Sequence, residues 1–381
     1  MIPYGRQDIS EADVQAVVDV LGSDFLTQGP QVPLFEASLC AATGAGHAVA
    51  VNSATSALHI ACLALGLGAG DLLWTSPNTF VASANVGHLC GAKVDFVDID
   101  PETFNMCPKA LEAKLEAARD LGQLPKVVMP VHMCGQSCDM AAIGALAKRY
   151  GFRVIEDASH AIGGRQGANP VGACEHSDIC VFSFHPVKIV TTAEGGAATT
   201  NDPGLAARME RLRSHGVTRD PALMTHAPDG DWYYQQIELG LNYRMTELQA
   251  ALGVAQMTRL ADFVARRNAL ADRYDALLSD LPLQRPGRQK DTLSAFHLYV
   301  IRVAPDRRKA VFDHLRGAGI LANVHYIPVH TQPYWQGHGF APGDFPLAEA
   351  YYSRAISIPL YAGLSEADQD SVVATLKQAL A

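Results

Sequence analysis

The chain has 381 residues, enough for two or three domains or for one large domain with an appendage. Hydrophobic residues make up 48% and charged residues 18%, a globular balance that excludes a disordered chain. With 30 basic and 39 acidic residues the net charge is −9, which excludes a general nucleic-acid binder and leaves room only for a local basic pocket.

The opening segment MIPYGRQDISEAD has no basic stretch leading into an apolar core, so no secretory signal is expected. Ser10 and Asp13 have capping-box spacing and predict an early helix. Six β-rich runs follow: His47–Val51, Leu72–Thr75, Lys93–Val97, Lys126–Val131, Arg153–Glu156 and Ile179–Phe182. Helical patterns lie between several of them, at Thr55–Leu65, Thr79–Cys90, Pro108–Leu121 and Ala141–Tyr150. This alternation predicts an α/β layer built on a mostly parallel sheet. The longest apolar stretch, Leu58 to Leu73, is broken by three glycines, a histidine and an aspartate, and falls short of the ~20 residues a membrane helix needs. Eight cysteines are scattered without a C-x-x-C pair and read as reduced thiols, which together with the missing signal predicts a cytoplasmic protein. Further on, a helical pattern from Met245 to about Leu281 breaks at Pro282. A strand at Phe296–Val303, a helix at Arg307–Gly317, a strand near Ala322–His325 and a closing helix from Glu366 complete the chain. The expected division is a large domain over residues 1–261 and a smaller α/β domain over residues 262–381.

Two motifs lead nowhere. Gly66-Leu-Gly-Ala-Gly70 follows a helix and precedes a strand, the reverse of a dinucleotide fingerprint, and reads as a tight turn. His325 and His330 flank Tyr326-Ile-Pro-Val329 with no acidic or cysteine neighbour to complete a zinc site, so no metal is expected.

Three segments together describe a cofactor pocket. Asn52-Ser-Ala-Thr-Ser-Ala-Leu58 sits between a strand and a helix, where free amides and hydroxyls make a site for a phosphate dianion; an ordinary helix cap reads equally well from these residues alone. Val154-Ile-Glu-Asp-Ala-Ser-His160 is an apolar strand ending in two carboxylates and a histidine. An acid at that edge of a parallel sheet points into the ligand crevice and needs a cationic partner, such as a protonated pyridine nitrogen; a cap for the next helix is the competing reading. Ser183-Phe-His-Pro-Val-Lys188, with Glu194-Gly-Gly196 after it, places a lysine just past a buried strand. Desolvation there favours the neutral, nucleophilic amine, although most lysines at strand ends reach water. Phosphate cup, ring-nitrogen acid and Schiff-base lysine in this order are the parts of a pyridoxal 5′-phosphate site.

At these residues the chain resembles the DegT/StrS-type nucleotide-sugar aminotransferases, which have the fold type I, aspartate aminotransferase-like architecture. The resemblance runs through Leu26-Thr-Gln-Gly29, Asn52-Ser-Ala-Thr55, Glu156-Asp-Ala158, Ser183…Lys188, Glu194-Gly-Gly196, Arg213-Ser-His-Gly216 and Gly240-Leu-Asn-Tyr-Arg-Met245. Ser-Phe-His-Pro-Val-Lys and Val324-His-Tyr-Ile-Pro-Val-His330 resemble one subgroup, the UDP-sugar transaminases that make UDP-4-amino-4,6-dideoxy-N-acetyl-β-L-altrosamine on the route to pseudaminic acid. The fold implied is a large domain with a mixed, mostly parallel sheet plus a smaller C-terminal α/β domain. The resemblance implies that Lys188 carries pyridoxal 5′-phosphate covalently and that Asp157 pairs its ring nitrogen. It implies a phosphate held by Ala54, Thr55 and Ser183, with Asn242 reaching in from a second subunit of a homodimer. Phe80 would stack on the ring, and His160 would sit near its phenolic oxygen. Tyr4, Leu26, Thr27, His325 and Tyr326 match positions lining the sugar-nucleotide pocket. The implied substrates are a UDP-linked 4-keto-6-deoxy sugar and L-glutamate, with no nucleic acid and no membrane as partner. Two departures stand out: many relatives carry Asn-Gly-Thr at positions 53–55 and glutamine at position 160.

The rival readings are distinguishable by residue type. A dehydratase of this family is expected to have histidine at position 188. A simple amino-acid aminotransferase would use a C-terminal arginine, and the setting of Arg354 does not match that motif. A nicotinamide-dependent dehydratase fits the alternation but lacks the glycine fingerprint, and a cofactor-bound regulator without turnover would not need lysine, acid and aromatic together. An aminotransferase acting on another nucleotide-linked keto sugar, for example a dTDP sugar, remains open.

Overall fold

A computed structural model describes all residues 1–381. Seven strands form its central sheet: β1 His47–Val51, β2 Leu72–Thr75, β3 Lys93–Phe96, β4 Val127–Met129, β5 Arg153–Asp157, β6 Ile179–Ser183 and β7 Gly196–Thr200. Their order is β1-β7-β6-β5-β4-β2-β3. Only β7 runs against its neighbours, pairing antiparallel with both β1 and β6, so the sheet is mixed and mostly parallel as expected.

Alternation along the strands supplies two cores. Val49, Val51, Leu73, Met129, Ile155, Val181 and Ala198 face one way, onto the helices Ala54–Ala64, Ala82–Leu89 and Pro203–Leu212. Ala48, Ala50, Cys180 and Phe182 face the other way, onto the helices Gln31–Thr43 and Glu247–Met257. Trp74, Val128 and Val154 continue that second face under Pro108–Asp120 and Met140–Tyr150. A covered sheet of this kind leaves a crevice at the C-terminal ends of its parallel strands, which here are Met129, Asp157 and Ser183.

The six strands and four helices read from the first half of the sequence are all present, displaced at their ends by at most three residues. The Ser10–Asp13 capping box opens the helix Glu11–Leu21. β7 was not anticipated: Gly-Ala-Ala-Thr-Thr is small and fully buried, and it shows no alternation for a period-2 reading to detect.

Three expectations for the second half need correction. The long helix expected from Met245 to Leu281 is two helices, Glu247–Met257 and Leu260–Leu277. The break at Arg259 turns its guanidinium to Asp8 (2.6 Å) and buried Asp13 (2.5 Å), a tertiary cause with no proline or glycine to announce it. The strand expected at Phe296–Val303 is β8, Tyr299–Arg302, because Phe296 takes a positive φ of 45°; its antiparallel partner is β9, Ala355–Ile358. The strand expected near Ala322–His325 lies two residues earlier, where Ile320–Leu321 pairs with Ile2–Pro3. Of the expected stretch only Asn323 bridges a strand, at Ser357, while its side chain accepts from the Val324 amide (2.8 Å) and His325 turns its ring to Ser357 (2.7 Å). A core formed by Leu270, Tyr274, Tyr299, Val311, Ile356 and Val372 joins β8 and β9 to the helices Leu260–Leu277, Arg308–Gly317 and Glu366–Leu380. No helix is long and apolar enough to cross a membrane.

Candidate active site

The loops after β4, β5 and β6 meet the N-terminal ends of the helices Ala54–Ala64 and Ala82–Leu89 around a cavity of about 460 Å³. Asp157, the last residue of β5, has the same strand parity as Ile155 and so faces these helices. It is 4% exposed. The Ser83 hydroxyl donates to its Oδ2 (2.6 Å), while the hydroxyl (2.6 Å) and amide (3.1 Å) of Ser159 donate to Oδ1. Three donors therefore hold a buried carboxylate whose fourth side opens on the cavity. Its neighbour Glu156 has opposite parity and goes behind the sheet, where His132 Nε2 lies 2.6 Å from Oε2 and the Ser177 hydroxyl donates to Oε1. The two carboxylates that the sequence places side by side thus serve different faces.

Lys188 stands in the turn after β6, with part of its side chain open to the cavity. Burial of the amine pulls its pKa down to about 8, against the opposing attraction of Asp157. Three buried histidines share this wall. Burial, then the Lys188 charge, pushes His325 down to about 3 and holds His160 and His297 well below the ordinary imidazole range. The Cys134 amide donates to His160 Nδ1 (3.3 Å), which places the ring proton on Nε2, 3.1 Å from the Tyr326 hydroxyl oxygen. With that oxygen accepting from His160, the Tyr326 hydrogen is free to donate into the cavity. Phe80 and Tyr4 complete the aromatic part of the wall.

Opposite lies a cradle of backbone amides. Ser53 caps the helix Ala54–Ala64 by accepting from the Ser56 amide (3.1 Å). The amides of Ala54 and Thr55 precede any possible intrahelical acceptor and remain available, with the dipole behind them. Gly196 makes the close approach possible, since a Cβ there would lie 2.5 Å from the Ala54 nitrogen. Ala54, Thr55 and Ser183 all line the cavity here. Free amides, a caged carboxylate and a desolvated amine around one cavity fit pyridoxal 5′-phosphate, whose phosphate, ring nitrogen and aldehyde match the three.

Of the residues anticipated from the sequence, Tyr4, Ala54, Thr55, Phe80, Asp157, His160, Ser183, Lys188, His325 and Tyr326 are brought together on this cavity. Leu26, Thr27 and Asn242 are not: all three are exposed and outside its lining. They share one edge nonetheless, for Thr27 bridges Thr246 and the Asn52 amide donates to Tyr243 O (2.9 Å). His325 and His330 do not share a ligand site, because His330 turns to Glu349 (2.9 Å). Ser83, Ser159, Thr79 and His297 were missed. Ser159 had a local signal, two residues past the acid, whereas Ser83 and His297 arrive only through the folding of distant segments.

Comparison with known proteins agrees with this geometry. A profile of the DegT/DnrJ/EryC1/StrS aminotransferase family matches residues 7–377. The spore coat polysaccharide biosynthesis protein SpsC of Bacillus subtilis is 40% identical over 385 residues, covering 99% of this chain and 96% of SpsC. Among solved structures, Helicobacter pylori PseC, an aminotransferase of pseudaminic acid biosynthesis, superposes with a TM-score of 0.91 at 30% identity, covering 100% of this chain and 99% of PseC. Streptococcus pneumoniae Spr1654 in its PLP form gives 0.89 at 30% identity, with 99% and 98% covered. With family match, fold and cofactor cradle in agreement, the chain belongs to the DegT/DnrJ/EryC1/StrS aminotransferase family and is a pyridoxal-phosphate-dependent aminotransferase.

Proposed function

We propose that this enzyme is a sugar aminotransferase that places an amino group on C4 of a UDP-linked 4-keto-6-deoxy-N-acetylhexose. L-Glutamate is the donor, and the product is a UDP-4-amino-4,6-dideoxy sugar for pseudaminic acid or a related surface glycan. The observation that carries the chemistry is the convergence of Lys188, Asp157 and the Ala54–Thr55 amides on one cavity. Full-length similarity to PseC and to SpsC supports the sugar class.

Pyridoxal phosphate, when bound, supplies the carbonyl that exchanges with amines and a ring that stores electron density. Lys188 Nζ is the covalent anchor and, once free, the base that takes a proton and returns it in both half-reactions. Asp157, fixed by Ser83 and Ser159, keeps the ring nitrogen protonated. Ala54, Thr55 and Ser183 would hold the phosphate, Phe80 would pack against the ring, and His160, fixed by its contact with Tyr326, would lie beside it. Tyr4, His325 and Tyr326 face the substrate.

The same reading makes Leu26, Thr27 and Asn242 parts of a neighbouring site in a homodimer. Apolar side chains beside them in the chain, Phe25 (52% exposed) and Leu239 (83% exposed), support an interface there. We place the cofactor site mainly in residues 1–261, the smaller domain in 262–381, and the enzyme in the cytoplasm, where its nucleotide-linked substrate is made.

The test is a panel of UDP- and dTDP-linked 4-keto-6-deoxy sugars incubated with holoenzyme and L-glutamate, with the product's C4 configuration determined by NMR. Amination of the UDP-N-acetyl substrate is expected. Exclusive use of a dTDP-linked substrate would replace the substrate named here.

A further inference from the structure

One buried side chain on the cavity wall has no partner in the protein. His297 is 3% exposed, lines the same cavity as Lys188 and Asp157, and its Nδ1 is buried without a hydrogen bond. The other two buried imidazoles are engaged, His160 by Cys134 and Tyr326, and His325 by Ser357 (2.7 Å) and Asn323 (3.5 Å). Nδ1 is shut off from the cavity, so Nε2, which also makes no hydrogen bond within the protein, is the nitrogen left for a ligand. A buried imidazole with no protein partner on a ligand cavity points to the ligand as its partner.

The ring is fixed from behind. Phe296, just before it, is held at φ 45°, and a Cβ on Gly135 would come within 2.8 Å of the Phe296 amide and 2.9 Å of the His297 amide. Arg267, fully buried, donates to the carbonyls of Phe296 (3.2 Å), His297 (3.4 Å) and Leu360 (3.0 Å) and pairs with no carboxylate. The ring itself packs against His160 at 4.4 Å between centroids. No arginine lines the cavity, yet an amino-acid donor brings a carboxylate into it. A neutral imidazole N–H backed by a buried guanidinium binds that carboxylate without leaving a fixed charge against the uncharged keto group that follows.

We propose that His297 binds the α-carboxylate of the amino donor through Nε2, with Arg267 as a positioning residue behind it. This rests on the aminotransferase reading above. The test uses holoenzyme and two variants, His297→Phe, which fills the space without a donor, and His297→Gln, which keeps an N–H. Calorimetry with glutarate, a dicarboxylate lacking the amine, reads binding alone, and steady-state kinetics read KM for L-glutamate and for the keto sugar separately. In His297→Phe, glutarate binding and the KM for glutamate should worsen by about tenfold to a hundredfold, the range expected for losing a hydrogen bond to a charged group. The KM for the keto sugar should stay within about twofold, and His297→Gln should recover most of the loss. Wild-type glutarate affinity in His297→Phe, or an equal rise in both KM values, overturns the proposal. A readout that needs no variant is the NMR signal of the His297 ring nitrogens, which should move on adding glutarate; an unmoved signal also overturns it. Failure of the wild-type holoenzyme to accept an amino group from any amino acid is a different result, and sinks the aminotransferase reading instead.

Discussion

At Lys188 the sequence and the structure meet on a single atom. A lysine after an apolar strand reads as a candidate nucleophile, and the fold supplies the cause by enclosing the amine and drawing its pKa from 10.5 to about 8. Lowering the pKa of a cation means that the neutral form accumulates as pH rises through about 8, two or so units sooner than for a free lysine. The rate at which apoenzyme captures added pyridoxal phosphate should therefore climb through about pH 8 and level off above it. Asp157 holds the value up, so Asp157→Asn should move the inflection to lower pH, and an inflection near 10.5 in the wild type would contradict the assignment. Ser83 illustrates what one sequence leaves dark. It is an ordinary serine in a small-residue helix until folding places its hydroxyl 2.6 Å from Asp157. Ser83→Ala should weaken cofactor affinity by about tenfold, since it removes one hydrogen bond to a charged acceptor while the Ser159 donors remain. Equilibrium dialysis of pyridoxal phosphate would measure this, and unchanged affinity would show that Ser159 suffices.

Elements were legible where periodicity was local. Parallel strands buried on both faces appear as apolar runs, and β1 and β2 match their expected limits. β7 was hidden because its small residues answer to a packing demand and not to strand propensity. That demand is sharpest at Gly196, where any side chain would strike the backbone of Ser53 and Ala54 at about 2.5 Å. Backbone at a helix N-terminus cannot step aside cheaply, so Gly196→Ala should destabilise the protein by about 1–3 kcal/mol. It should also loosen the cradle that the Ala54 and Thr55 amides form. Thermal unfolding of the apoprotein together with cofactor titration would separate the two effects; a variant unchanged in both would show that the cradle does not depend on this contact. The break between Glu247–Met257 and Leu260–Leu277 was invisible for another reason: it is set by Arg259 reaching residues about 250 positions earlier in the chain.

For the molecule as a whole, the overall α/β class and most of the cofactor site could be read before any coordinates, because each part carries its own chemistry on a short segment. The far wall could be read only in part. His325 and Tyr326 were marked by the resemblance, whereas His297, and Arg267 behind it, join the site only when the second half of the chain folds back, and nothing local marks them as neighbours of Lys188. The assembly is the remaining inference, and Asn242 tests it. If Asn242 serves the partner's site, mixing inactive Lys188→Ala and Asn242→Ala proteins creates heterodimers with one intact site. Activity should then return to about a quarter of wild type, the value for random C2 reassortment. No recovery after subunit exchange would place Asn242 in its own chain's site, or outside the site altogether.

All of these expectations depend on Lys188 being the residue that holds the cofactor, with Asp157 facing it. The most direct measurement is reduction of the holoenzyme with borohydride, followed by proteolysis and mass mapping of the phosphopyridoxyl label. A label confined to the peptide containing Lys188, and absent from Lys188→Ala, is the predicted result. A label on any other lysine, or a reduced holoenzyme carrying none, would contradict the account.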